Sequence, residues 1–340
     1  MLKTVARSRW TRFGLGIALS AGALWLALSR TSLSQIGAAL EQVSWPWVGV
    51  ALALKATTLI IKDLRWRCEL EAMAPGPYRR TFPCIGLGYF GNIVLPFKLG
   101  ELLRVGLLRR HNPAVGFGDA LATIAAERAL DGAVLAVMVG VVLHWAVVPT
   151  WVLTGTLLLL LVMLGVIAVS ILTPVHDFLL RILPARGLLG WGRRVVQALT
   201  RGTAVLRNGP AVALATAYTA LAWLVEALVF FSATHALGIQ LAFSTVLIVT
   251  LLLSVGLLIP SAPGQIGTHQ ALSVLFLGPF GVSSTTAVSI SFLLQGIALA
   301  TLGSIGGYVL IREAGARELV RRAQRDPAAA SAAAADQPEE

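Results

Sequence analysis

Six apolar runs, each near the length of about twenty residues that a membrane-spanning helix needs, recur along the chain. They cover residues 13–29, 46–62, 119–143, 150–172, 210–236 and 284–311. A soluble fold has no way to hide them. Of the 340 residues 56% are hydrophobic and 13% charged, where a soluble domain carries about 25% charged residues. The chain therefore reads as an all-α polytopic membrane protein, because in lipid a helix satisfies its own backbone hydrogen bonds. Two further apolar regions, 81–112 and 243–280, are interrupted by Pro and Gly. The longest polar stretch, about residues 173–208, is too short to bury a core of its own. No soluble catalytic domain is expected.

The formal net charge is +11. Nucleic acid is not the expected partner, since no basic stretch carries interleaved aromatics. The cations instead flank the apolar runs and set orientation. Lys3, Arg7, Arg9 and Arg12 precede the first run. Lys62, Arg65, Arg67, Arg79 and Arg80 follow the second, six arginines lie in 173–208, and Arg312, Arg317, Arg321, Arg322 and Arg325 follow the last. The loops near 30–45, 144–150, 237–243 and 279–283 hold a single basic residue, Arg30. Both termini are thus expected in the cytosol, and the basic, then apolar N-terminus is read as an uncleaved first span. Cys68 and Cys84 suggest no disulfide, the five scattered histidines suggest no metal site, and no cofactor is expected.

Parity decides what the broken regions do. The first run leaves the cytosol and the second returns. Region 81–112 then starts inside and, at the basic Arg109, Arg110 and His111, ends inside. By the same count region 243–280 starts and ends outside. Each is a hairpin, giving six full spans plus two broken hairpins, or eight crossings if the hairpin arms span fully. Span, span, hairpin, span occurs twice, over 13–143 and 150–311, in opposite directions. This is the pattern of an inverted repeat, in which paired broken segments mark the transport site. A single integral membrane domain over 1–312 is expected, then a cytosolic tail, 313–340, with a disordered end. Leu33, Ile36, Leu40 and Val43 lie at helical spacing, as in a short amphipathic helix on the outer surface.

The charges at membrane depth are the candidate site. Residues 92–104 read NIVLPFKLGELLR. Pro96 breaks a helix, Gly100 permits a tight reversal, and Lys98 and Arg104 add positive charge to a restarting helix N-terminus. Glu101 and Arg104 share a face. Glu127 and Asp131 share a face of the next span, with Arg128 beside Glu127. Facing lipid, each charge would cost ~3 kcal/mol, so the six together, at roughly 18 kcal/mol, must face one another or a wet cavity. A polar, mostly cationic pocket at the hairpin tip is expected. The second tip holds Pro260, Pro263, Gly264 and Gly267, then His269 and Gln270. His269 is open to two readings, a proton-linked group or a hydrogen-bonded packing residue. Lys55 and Glu226 sit at roughly matching places in the halves and either pair or leave Lys55 to snorkel.

Asn92, Pro96, Gly100, Glu101 and Arg104, then Glu127, Arg128 and Asp131, then Pro260, Pro263, Gly264 and Gly267 together resemble the transmembrane domain of lysylphosphatidylglycerol synthase and its stand-alone relatives, over about residues 10–312. The resemblance implies a multi-pass protein of the bacterial inner membrane that moves a lipid between leaflets. It also implies that the chain, without the synthase domain, does not aminoacylate lipid. The family pattern carries Glu at Gln270 and Arg at Gln295, so the resemblance implies that an amide pair here replaces a charge pair.

Three functions are open on these residues. The first is a lipid translocase gated by the two hairpins, with membrane lipids as its partners. The second is a non-transporting partner of a lipid-modifying or glycan-assembling enzyme in the membrane. The third is a membrane-embedded lipid enzyme using Glu127 or Asp131 as general base. No catalytic motif supports the third, so no catalytic residue and no enzymatic activity are assigned.

Overall fold

The computed structural model describes residues 21–29, 31, 33–73, 78, 80–95, 99–145, 154, 209–257 and 262–325. Pro96, Lys98 and Pro260, residues 13–20 of the first run, the run at 150–172 apart from Thr154, the loop at 173–208 and the end of the tail lie outside the described residues. Residues 21–28 are helical. After them come α1 (Leu33–Glu41), α2 (Trp45–Met73), α3 (Thr81–Val94), α4 (Gly100–His111) and α5 (Phe117–Trp145). Then follow α6 (Gly209–Ala236), α7 (Phe243–Gly256), α8 (Thr268–Leu277) and α9 (Ser284–Arg325). No strand occurs among the described residues.

Among the described residues, α6 and the Ser284–Ala314 part of α9 are long and apolar enough to cross a membrane. A third span is counted if α1 and α2, which meet at 87°, are taken together. The two broken regions are helical hairpins, α3/α4 and α7/α8. Their arms have 14, 12, 14 and 10 residues. At 1.5 Å per residue these measure about 21, 18, 21 and 15 Å, short of a hydrocarbon core of about 30 Å.

Two sequence expectations need correction. Lys62, Arg65 and Arg67, read as cations flanking the second apolar run, do not lie beyond its helix. Helix α2 continues to Met73, because acid and base alternate at i,i+4 spacing, Asp63 with Arg67 and Arg65 with Glu69. Nor does Gly100 serve a reversal. Its role is close approach: a Cβ built there would lie 2.0 Å from the Gly88 carbonyl oxygen and 2.6 Å from Asn92 Oδ1, so the two hairpin arms cross backbone to backbone.

Each hairpin sits in its own apolar core. Ile85, Leu87, Val105 and Leu108 of the first pack with Leu59, Trp66 and Leu70 of α2, Ile124 of α5, and Leu302 and Val309 of α9. Val246–Leu253 of the second pack with Phe230 of α6, Leu135 and Val139 of α5, and Ile290 of α9. The seam between α2 and α6 is small-residue packing, with Val48 and Ala51 against Val229 and Ala233. Helices α2 and α6 run antiparallel, since the Ser44 N–H donates to Ala236 O at 2.8 Å. At the opposite end Arg110 lies 2.8 Å and His111 3.1 Å from Glu313. The end of the first hairpin and the far part of α9 therefore share one face. Helix α1 is amphipathic as read, and Ile36 packs with Ala27 and Val288 rather than facing outward.

Candidate functional site

Helix α2 brings Arg65, Trp66 and Glu69 to the crossing of α4 and α5. Arg65 is 1% exposed and meets two carboxylates of α5: Nη2 lies 2.8 Å from Glu127 Oε1 and Nη1 2.5 Å from Asp131 Oδ1. Its Nη1 also donates to Thr219 Oγ1 of α6 at 3.3 Å. Glu127 takes a second guanidinium from the first hairpin, Arg104 Nη1 to Oε2 at 2.7 Å. The Arg104 guanidinium lies 3.7 Å over the Trp66 ring, whose Nε1–H donates to Thr123 Oγ1 at 2.9 Å. Arg128 closes the outer side, 2.8 Å from Glu101 and 3.5 Å from Asp131.

The i,i+4 spacing puts Glu127 and Asp131 on one face, as expected, and both meet Arg65. The structure brings Glu101, Arg104, Glu127, Arg128 and Asp131 together. Of the expected cationic pocket at the tip, Pro96 and Lys98 lie outside the described residues. The described cluster holds three guanidiniums and four carboxylates, Glu69, Glu101, Glu127 and Asp131, and lies along the side of α4 that faces α2 and α5. The α4 N-terminus already has its own carboxylate in the first turn, Glu101. Hydrogen-bonding capacity remains: Arg104 Nε and Nη2 are buried with no hydrogen-bond partner among the described residues. Asn92 stands apart at the arm crossing, and its Oδ1 is likewise buried and unpartnered among them.

The second tip is neutral. Pro263–Gln265 form a single 3₁₀ turn, with Gly264 at φ 68° and Gly267 at φ 89°, conformations that favour glycine. The Gly267 N–H donates to Gln270 Oε1 at 2.6 Å and caps α8. Gln270 Nε2 donates to Gln295 Oε1 at 2.6 Å, and Gln295 Nε2 donates to Gly264 O at 3.0 Å. The amide pair thus staples the turn to α9. His269 Nδ1 lies 2.6 Å from Ser291 Oγ and 3.4 Å from Ser273 Oγ. Lys55 and Glu226 do pair, bridging α2 and α6. Above them Lys62 lies 4.6 Å over the Tyr89 ring. The second tip meets the first hairpin, with the Pro263–Gln265 turn packed on α3 and a Cβ at Gly264 reaching 3.9 Å from Ile93 O.

Arg65, Trp66 and Glu69 escape a reading that treats every flanking cation as a topology signal. The missed signal is the paired i,i+4 charges that extend α2 by three turns. Among the described residues no group of His, Cys, Asp or Glu side chains could hold a metal ion. Cys68 and Cys84 are free thiols.

A family model described as the lysylphosphatidylglycerol synthase TM region matches residues 14–306. No curated protein and no solved structure matches the chain significantly.

Proposed function

We propose a lipid translocase of the inner membrane for this chain, which belongs to the family of the lysylphosphatidylglycerol synthase TM region. It moves a phospholipid or lipid-linked headgroup between leaflets, with N- and C-termini in the cytosol. The observation that carries the reading is the cluster of Arg65, Arg104 and Arg128 with four carboxylates, held between a broken hairpin and the helices α2 and α5. A lock alone would be simpler if apolar, because desolvating so many charges offsets most of their mutual attraction. Paired charges that can exchange partners let a polar headgroup enter lipid depth without stranding one of them.

The packing supports an inverted repeat. Pair α2 with α6, α3 with α7, α4 with α8 and α5 with α9. Contact of α2 with α3 is then matched by α6 with α7, α4 with α5 by α8 with α9, and α3 with α9 by α7 with α5. The short arms and the packing of the second tip on α3 support hairpins that enter from opposite faces and stop midway. In this reading the first hairpin opens to the cytosol and the second outward, and they gate in turn.

The test is translocation of labelled anionic and cationic phospholipids in proteoliposomes, with Glu101→Gln and Arg104→Ala beside the native chain. Movement that collapses in both variants is the expected result. No movement of any lipid by well-folded protein would make the cluster a structural lock. The chain would then be a non-transporting partner of a lipid-modifying enzyme, to be sought by co-purification.

A further inference from the structure

Glu69 is the one carboxylate among the described residues with both oxygens buried and neither hydrogen bonded. It is fully buried in α2. The cation nearest to it is Arg65 on its own helix, with Nε 3.8 Å from Glu69 Oε1, beyond hydrogen-bond reach. Arg65 directs its two terminal nitrogens elsewhere, to Glu127, Asp131 and Thr219. From α4, Arg104 gives Nη1 to Glu127, and its Nε and Nη2, unpartnered among the described residues, form no ion pair with Glu69. From α5 come Glu127 and Asp131, which carry the same charge as an ionised Glu69. Helix α6 offers the neutral Thr219, α3 the thiol of Cys84 within the same core, and α9 the apolar Leu302 and Val309. Lys62, about two turns back on α2, lies over Tyr89. One guanidinium thus faces three carboxylates, and Glu69 has the poorest share.

An ionised carboxylate in such a place costs several kcal/mol, and taking up a proton relieves that cost. We propose that Glu69 holds a proton in this arrangement and releases it when Arg65 leaves Glu127 and Asp131, making Glu69 the site that couples a separation of α2 from α5 to a proton gradient. The exchange balances. The carboxyl gives one proton to water, and the carboxylate left behind takes Arg65 as its i,i+4 partner. Glu127 and Asp131 are then free to meet the cationic group that displaces Arg65. The coupling rests on the translocase reading; the protonation of Glu69 does not.

Infrared spectra of the full chain in lipid, titrated from acid to alkaline pH, test the proton site. A carboxylic-acid C=O band should persist at neutral pH, vanish in Glu69→Gln and remain in Glu101→Gln. Should Glu69→Gln not be recovered folded, Glu69→Asp should shift the band. A spectrum unchanged by either substitution at Glu69 overturns the proposal. In proteoliposomes, an imposed pH gradient should alter the native rate of lipid movement severalfold and leave that of Glu69→Gln unaltered. Movement indifferent to the gradient overturns the coupling. A Glu69 band without movement of any lipid overturns the coupling together with the translocase reading, and leaves the proton site standing.

Discussion

Gly100 has no room for a side chain. A Cβ there meets the Gly88 carbonyl oxygen at 2.0 Å, a backbone atom that cannot rotate away. Gly100→Ala must therefore separate α3 from α4, and the strain is expected to cost ~1–3 kcal/mol or more. Gly106, on the same helix, has nothing within 4 Å, and Gly106→Ala should be neutral or stabilise by about 1 kcal/mol through helix propensity. Thermal unfolding midpoints of the two variants in one detergent check the contrast. Two equal midpoints would show that the arms do not cross as closely as described.

The second hairpin is joined to α9 by uncharged groups where the first is joined to α5 by charged ones. Gln270 to Gln295 and Arg104 to Glu127 each link the second arm of a hairpin to the helix that follows it. Gln270→Glu alone buries a carboxylate beside an amide, and the penalty of an uncompensated buried charge is about 3–5 kcal/mol. Adding Gln295→Arg should recover most of it, with an interaction energy of 0.5–3 kcal/mol, typical of contacting pairs, as an approximate guide. A double-mutant cycle on stability reads this directly. Purely additive losses would mean that the two positions do not form a staple. In translocation assays the double variant reports whether charge at this tip alters the lipid that is moved.

The two ends of the molecule are defined by contacts remote in sequence. Ser44 meets Ala236 at one end, and Arg110 and His111 meet Glu313 at the other. With Cys68 and Cys84 replaced, Arg110→Cys and Glu313→Cys should both react with an impermeant thiol reagent from the cytosolic side, and Trp45→Cys only from the opposite side. Labelling of Trp45→Cys and Arg110→Cys from one face would overturn the antiparallel threading. A short bifunctional reagent joining the cysteines at 110 and 313 should also slow lipid movement, because it ties the end of the first hairpin to α9.

Membrane residence, helical class and the two broken hairpins follow from the sequence because they depend on local quantities. These are run length, Pro and Gly interruptions, and the side on which cations collect. The one-face placement of Glu127 and Asp131 is local too, since helical spacing sets it. The identity of their partner is not. Arg65 precedes Glu127 by 62 positions, and only the packing of α2 against α5 decides that it serves as a ligand of the cluster and not as an anchor in a loop. The same holds for Gly100, whose need is set by a carbonyl on the facing arm and not by its own backbone angles. Charge balance at the site is likewise a sum over three elements, and no single stretch carries it. Glu69 completes that sum from a helix turn that the local hydropathy places outside the span.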